Sequence, residues 1–291
     1  MKISRHCVAC ASREIDRSPA ILMPFVAARI FGWEPVDVTA EWGMRDLKPG
    51  TAYPVCASSM CRDCGMLFLD MRFDGEEMGA LYDDYRGEAY TRQRDRFEPG
   101  YAARNAILLD GSPYLRTVEA FLSSHVPARP RVLDWGGDSG VNTPFRETAA
   151  VHHIYDISGR PVIDGAVTVG LADIRGDDYD LIVFANVLEH VSNPREAMAE
   201  IAAAMTPATT LYVEVPHEDV VRLIETPAER LDRKKHWHEH INFFTTQALD
   251  ALFTDVGLRT VERISHQVSA GGKDSHVFSI VARKLAVTTK G

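Results

Sequence analysis

The stretch Arg131-Val-Leu-Asp-Trp-Gly-Gly-Asp-Ser-Gly140 decides the fold. A short apolar strand runs directly into a turn that is rich in glycine, and a helix is expected after it. This order is typical of the first unit of an open α/β sheet, where a ligand lies over the carboxyl end of the strand. Glycines at such a turn allow the backbone to approach the ligand closely.

Alternating strand and helix patterns follow this stretch. The run 180–185 is continuously apolar, as expected of a strand that is buried on both faces of a parallel sheet. The other predicted elements are strands at 151–156, 166–169, 210–215, 258–264 and 275–283 and helices starting at 194 and 246. Because the alternation ends in two strands, the sequence predicts a Rossmann-like α/β sheet with an antiparallel final strand at its edge.

Polar residues stand just after several of these strands. Asp156 follows Asp134 by 22 positions, close to the ~20-residue offset at which an acid contacts ribose hydroxyls in nucleotide-binding α/β folds. Asp173 and Ile174 follow the third strand and could contact an adenine edge. We expect the cofactor-binding residues to be Asp134, Gly136, Gly137, Asp138, Gly140, Asp156, Asp173, Ile174 and Asn186.

Four of the five cysteines form two CxxC pairs, Cys7 with Cys10 and Cys61 with Cys64. Each pair places two sulfurs on one side of a tight loop, and two such loops can complete a tetrahedral Zn²⁺ site. Four protein ligands leave no position for substrate, so the predicted zinc is structural. The alternative is four reduced cysteines without metal, and Cys56 is expected in the core.

Composition limits the classes of partner. A net charge of −9 argues against a broad nucleic-acid surface, which needs clustered Lys and Arg. The sequence shows no signal peptide and no membrane span. We therefore expect a cytoplasmic protein, with no nucleic-acid or membrane partner, that acts on a small-molecule acceptor. The oligomeric state is open.

The glycine turn does not fit a dinucleotide site, because GxGxxG requires small residues where Asp138 and Val141 stand. The pattern Asp134-x-Gly136-x-Asp138-x-Gly140 instead resembles motif I of class I S-adenosylmethionine-dependent methyltransferases. It departs from the usual motif at the middle glycine. With Asp156 and the segment 184–190 in register, the resemblance implies S-adenosylmethionine as the cofactor.

The segment Trp237-His-Glu-His-Ile-Asn-Phe-Phe-Thr245 is similar to one in deoxysugar C-methyltransferases, a family that also begins with a four-cysteine zinc module. The resemblance implies a sugar or nucleotide-linked sugar of polysaccharide or secondary-metabolite biosynthesis as acceptor. Two features differ. Trp237 replaces a tyrosine, and the family's further C-terminal domain has no counterpart before Gly291.

Histidines near the expected site are candidates for the general base, because their ordinary pKa lies near neutral pH. His240 lies in the segment that matches the family's proposed base. We expect it to act as general base, with Glu239 as its orienting partner or as an acceptor ligand, and His190 as the second candidate. The base would remove a proton next to a carbonyl for C-methylation, or a hydroxyl proton for O-methylation.

The expected domain division is a zinc-binding module at 1–90, a helical connector at 91–128, the methyltransferase domain at 129–285 and a tail at 286–291. Two other function classes remain open. One is a non-catalytic protein that binds S-adenosylmethionine or is a zinc-stabilised interaction partner. The other is a metal-dependent hydrolase that uses His236 and His238, which alternate along an extended segment.

Overall fold

The structure is a computed structural model that describes residues 1–43, 45–109, 114–270 and 273–285. The strands of the N-terminal part are β1 (Lys2–Ile3), β2 (Ile15–Leu22), β3 (Val36–Val38), β4 (Gly50–Ala52), β5 (Val55–Cys61), β6 (Leu67–Leu69) and β7 (Met71–Arg72). The helices of this part are α1 (Pro24–Phe31), α2 (Gly75–Tyr82), α3 (Glu88–Phe97), α4 (Tyr101–Leu109) and α5 (Leu115–Leu122).

The C-terminal part alternates strands and helices as the sequence predicts. Its strands are β8 (Arg131–Trp135), β9 (Val151–Tyr155), β10 (Val167–Thr168), β11 (Leu181–Ala185), β12 (Thr210–Pro216), β13 (His236–Trp237), β14 (Asn242–Phe243), β15 (Leu258–Ala270) and β16 (Lys273–Lys284). Its helices are α6 (Pro194–Ala203), α7 (Asp219–Arg222), α8 (Pro227–Arg233) and α9 (Thr246–Asp255).

A seven-stranded sheet forms the centre of the C-terminal part, in the order β10-β9-β8-β11-β12-β16-β15. The first five strands are parallel, and β16 runs antiparallel to β12. The antiparallel final strand is present, but β15 forms the edge instead of β16. A hairpin explains this arrangement, because β16 pairs with β15 along its length after it has entered the sheet beside β12.

The order in which the chain adds strands to the sheet reverses at β8, because β9 and β10 lie on one side of it and β11 and β12 on the other. Leu133 and Ile182 lie on one face of the sheet and Val132 and Leu181 on the other, and none of the four has exposed surface. These central strands are therefore covered on both sides. The carboxyl end of β8 is therefore the switch point at which open α/β sheets bind their ligands.

The helix predicted after Gly140 does not form. Residues 141–148 make successive turns instead. Pro144 lacks the N–H that a helix interior needs, and Phe145 has a φ of +63° in the left-handed region. The segment crosses the end of the sheet as a loop, and Thr143 within it contacts Asp134.

A second sheet has five strands in the order β13-β2-β5-β6-β14. Its two outer strands, β13 and β14, come from residues 236–243, far along the chain from the N-terminal strands they join. The predicted module at 1–90 therefore shares its sheet with a segment of the predicted methyltransferase domain. The sequence offers no periodic signal for strands of two residues each.

Arg72 connects the two parts of the molecule from a buried position. Its guanidinium donates to the carbonyl oxygens of Val191 and Ser192 at 3.0 and 2.8 Å and to Asn242 Oδ1 at 2.8 Å. These bonds join β7 to the loop after β11 and to β14. Hydrogen bonds from the Arg72 side chain to backbone carbonyls therefore hold the two parts together, in addition to apolar contacts.

The predicted connector 91–128 contains most of α3 together with α4 and α5. The apolar pattern of residues 112–124 predicts an amphipathic helix in this connector, and a helix is observed at Leu115–Leu122. Its expected start at Ser112 and the tail 286–291 lie outside the described residues. Within the described part of the chain, each helix is too short or too polar to cross a lipid bilayer.

Candidate active site

A cavity of about 510 Å³ lies over the carboxyl ends of β8, β9 and β11. It brings together seven of the residues that the sequence predicts for the site. They are Asp134, Gly136, Gly137, Asp138, Asp156, Asn186 and His190. Three tyrosines also line the cavity: Tyr82 of α2, Tyr85 in the turn after α2, and Tyr114 directly before α5. The cavity thus combines polar groups at the strand ends with aromatic rings.

The glycine turn lies close to its neighbours. A Cβ atom at Gly136 would lie 2.5 Å from Val187 Cγ2, and one at Gly137 would lie 2.6 Å from Asp134 Cγ. Gly136 also has a φ of +85°, which side chains rarely adopt. Only glycine fits at these two positions without a shift of the surroundings, so the turn can present its backbone directly to a ligand.

Two aspartates of the predicted site are held by hydrogen bonds. Thr143 Oγ1 donates to Asp134 at 2.6 Å. Burial raises the pKa of Asp134 to about 7, with the Thr143 bond opposing the rise. Asp156 accepts from the N–H groups of Asp138 and Ser158 at 2.8 and 2.7 Å. Asp156 is therefore fixed at the end of β9, where it can meet paired hydroxyls of a ribose.

Glu214 is a cavity residue that the sequence analysis missed. It is buried near the end of β12 and accepts from Asn186 Nδ2 at 2.8 Å, from the Tyr114 hydroxyl at 2.7 Å and from the Tyr212 hydroxyl at 2.6 Å. A single acid within the otherwise apolar run 210–215 is the signal that could have found it. The hydrogen bond to Glu214 fixes the orientation of the Asn186 side chain. The backbone of Asn186 is left-handed, with a φ of +54°.

Three predicted cofactor residues do not line this cavity. Gly140 closes the turn by donating its N–H to the Gly137 carbonyl at 2.8 Å, and its φ is +82°. Asp173 and Ile174 lie beyond β10, at the end of a short 3-10 helix. Asp173 is exposed, while Ile174 packs on the core. A contact of these two residues with adenine stays a prediction.

His190 and His240, the two histidine candidates, lie together. Their ring centroids are 4.7 Å apart, and the rings are nearly perpendicular. His190 lines the cavity and its Nδ1 lies 3.0 Å from the Glu239 carbonyl oxygen. His240 does not line the cavity but contacts the His190 ring, and its Nδ1 lies 2.9 Å from Glu218 Oε1. Each Nδ1–H can donate to its oxygen, which leaves both Nε2 atoms with a free lone pair.

Glu239 is not the partner of His240. Its carboxylate accepts from Arg94 Nη1 of α3 at 2.6 Å, and the residue is buried. Glu239 and His240 therefore face different surroundings, Arg94 for the first and Glu218 for the second. The orienting carboxylate is Glu218, which stands two residues after β12.

The charges around the two histidines differ. Burial lowers the pKa of His190 well below its ordinary value, and the charge of His240 lowers it further. Burial also opposes charge on His240, yet the Glu218 hydrogen bond and the Glu189 carboxylate raise its pKa on balance. Glu189 is 2% exposed, and neither of its carboxylate oxygens has a hydrogen-bond partner among the described residues. His240 is therefore the more basic member of the pair.

The four paired cysteines converge, as their spacing predicts. Their Sγ atoms all lie within 4.8 Å of one another, with Cys7–Cys64 at 3.5 Å and Cys10–Cys61 at 3.6 Å. A tetrahedral zinc with bonds of ~2.3 Å separates its sulfurs by about 3.8 Å, so the set fits this ion. Cys56 lies apart from the set and is buried in the core.

The comparisons with known proteins agree with this geometry. The family model described as "Methyltransferase domain" matches residues 102–263. A solved structure of Burkholderia thailandensis 1,6-didemethyltoxoflavin-N1-methyltransferase, with bound 1,6-didemethyltoxoflavin and S-adenosylhomocysteine, has a TM-score of 0.50 and 18% identity. The match covers 77% of this chain and 97% of that chain.

A structure of magnesium protoporphyrin IX methyltransferase from Synechocystis has a TM-score of 0.44 and 14% identity, and the match covers 69% of this chain and 97% of that chain. No curated protein sequence matches. Since the family model covers more than half of the residues, the chain belongs to the methyltransferase domain family, with the α/β fold of class I S-adenosylmethionine-dependent methyltransferases.

Proposed function

We propose that this protein transfers the methyl group of S-adenosylmethionine to a small-molecule acceptor held beside His190. The observation that carries the proposal is one cavity that is lined by the glycine turn, Asp156 and His190, with His240 in contact with the His190 ring. Asp156 would receive the ribose hydroxyls, and the turn at Gly136 would receive the methionine end. The sulfonium methyl would then point toward Asn186 and His190.

The acceptor we propose is a sugar or a nucleotide-linked sugar. Support comes from the segment Trp237–Thr245 and from the four-cysteine set, which together resemble the deoxysugar C-methyltransferases. The cavity also has the right lining for a polar ring, because Tyr82 and Tyr85 offer flat apolar faces beside hydroxyl groups. Both C- and O-methylation suit this site.

His240 is the proposed general base. The acceptor's carbon or oxygen forms a bond to the methyl carbon while the sulfonium C–S bond breaks, and a proton leaves the acceptor for His240 Nε2. Glu218 holds the tautomer that presents this lone pair and stabilises the imidazolium that forms. His190, which is the nearer to the cavity, positions the acceptor and is the second candidate for the base.

A structural Zn²⁺ on Cys7, Cys10, Cys61 and Cys64 completes the proposal. Three of these thiols are buried, and they pack in the same core cluster as α9. Thr245, the N-cap of α9, donates its hydroxyl to the Cys64 carbonyl. An ion at this site would stabilise the knuckles and the helix start, and it has no role in methyl transfer.

The two alternative classes make different demands. A non-catalytic protein would bind S-adenosylmethionine without turnover. A metal-dependent hydrolase would need His236 and His238 to share a ligand set. Their rings are 5.8 Å apart, and His238 Nδ1 faces Glu98 at 3.4 Å. Among the described residues neither belongs to a cluster that could hold a metal.

The test combines binding with turnover. Calorimetry with S-adenosylhomocysteine should show binding to the folded protein, and labelled S-adenosylmethionine should transfer its methyl group to a member of a nucleotide-sugar panel. His240→Ala should lower turnover by about 10²- to 10⁴-fold with cofactor affinity retained. The exposed His236→Ala serves as the control. Unchanged turnover in His240→Ala would remove this residue from the mechanism, and absence of cofactor binding in the wild type would refute the function.

A further inference from the structure

The cavity contains one permanently cationic side chain among the described residues that line it. This residue is Arg86, in the turn between α2 and α3. The other charged groups of the lining are carboxylates, and His190 is held neutral by burial. Arg86 is therefore the natural partner for any anionic group that enters the cavity.

Arg86 has no carboxylate partner among the described residues. By contrast, Arg94 pairs with Glu239 at 2.6 Å and Arg160 with Asp138 at 2.7 Å. For Arg86, no carboxylate of the described residues lies within ion-pair distance, and its Nε is buried without a hydrogen-bond partner. A buried donor of this kind costs free energy unless a ligand completes it.

The surroundings keep Arg86 charged and fixed. Burial opposes its charge, but Tyr85 and Asp138 raise its pKa. Its guanidinium carbon lies 5.1 Å from the Tyr85 ring centre. The backbone has a φ of +58°, and its carbonyl accepts from Asn105 Nδ2 at 3.4 Å. A strained conformation that is held by surrounding bonds is common where a side chain must aim at a ligand.

We propose that Arg86 is the anion subsite of the cavity and binds a carboxylate or phosphate of the ligand. The inference rests on the proposed function. The first source of this chemistry is the α-carboxylate of S-adenosylmethionine, because Arg86 lines the same cavity as the turn at Gly136, where the methionine end would lie. The second source is a phosphate or carboxylate of the acceptor. The planar guanidinium suits both, since it can donate two parallel hydrogen bonds.

Two nucleosides that differ in the amino-acid end distinguish these sources. S-adenosylhomocysteine carries the α-carboxylate, and 5′-methylthioadenosine lacks it. In Arg86→Gln, affinity for S-adenosylhomocysteine should fall by about 10- to 100-fold, the range expected for a lost charge-assisted hydrogen bond, while affinity for 5′-methylthioadenosine should not change. Arg86→Lys keeps the charge but not the two parallel donors, so the loss of affinity for S-adenosylhomocysteine should be smaller.

The control is Arg92→Gln, because Arg92 is 72% exposed and pairs with Glu88 on the surface of the following helix. If both nucleosides bind Arg86→Gln normally but uridine diphosphate binds this variant more weakly than the wild type, the acceptor supplies the anion. Arg86 then remains the anion subsite. Equal losses for the two nucleosides, or no loss for any of the three ligands, would overturn the proposal. Failure of the wild type to bind either nucleoside would instead refute the proposed function.

Discussion

Replacement of Gly136 by alanine tests the central claim about the cofactor turn. The new Cβ would lie 2.5 Å from Val187 Cγ2, and the backbone would keep a φ of +85°. The left-handed conformation costs about 1–2 kcal/mol for a residue with a side chain. Insertion of a methyl group into a packed site costs about 1–3 kcal/mol more. We therefore expect Gly136→Ala to lower the free energy of unfolding by about 2–5 kcal/mol.

Gly165→Ala is the matched control, because Gly165 has the same φ of +85° and nothing within 4 Å of its added Cβ. It should show the conformational cost alone. Urea unfolding of both variants, measured beside the wild type, gives the difference of about 1–3 kcal/mol that belongs to the contact with Val187.

Calorimetry with S-adenosylhomocysteine completes the test. Gly136→Ala should bind more weakly than Gly165→Ala, since relief of the contact moves the turn away from the ligand. If the two variants were equally stable and bound the nucleoside equally well, close backbone approach at Gly136 would not be part of the site.

The remaining predictions concern the metal and the base. We expect elemental analysis to find zinc in the wild type and in Cys56→Ser but not in Cys61→Ser; equal zinc contents would exclude the four-cysteine site. Glu218→Gln should lower the pKa of His240, whose value the Glu218 hydrogen bond holds above its ordinary range. Because the base must be unprotonated to act, the acidic limb of the kcat/KM–pH profile should then move to lower pH. A limb that stays in place would show that His240 does not set it.

Much of the arrangement of the predicted cofactor residues could be foreseen because it is local in sequence. The turn 136–140 follows directly on β8, and Asp156 follows directly on β9, so strand ends alone place them together. The parallel register then aligns the strand ends, because Asp134 pairs with Ile154 of β9 on one side and with Val183 of β11 on the other.

The acceptor side could not be predicted to the same depth, because its contacts join distant segments. Glu218 and Glu239 are both acids near His240 along the chain, and only the folded loop shows that Arg94 of α3 holds Glu239. The loop after Gly140 shows a different limit. Pro144 is visible in the sequence, yet the competing expectation of a βαβ unit favoured a helix there.

The five-stranded sheet has a consequence for any attempt to build chimeras from this protein. Residues 236–243 supply both outer strands of that sheet, and His240 lies in the connection between them. A graft that exchanged residues 1–90 alone would remove β2 and β6, the strands with which β13 and β14 pair, and so the support of the connection that carries His240. A chimera must therefore exchange residues 1–90 and the segment 236–243 together, because strands from both segments form one sheet.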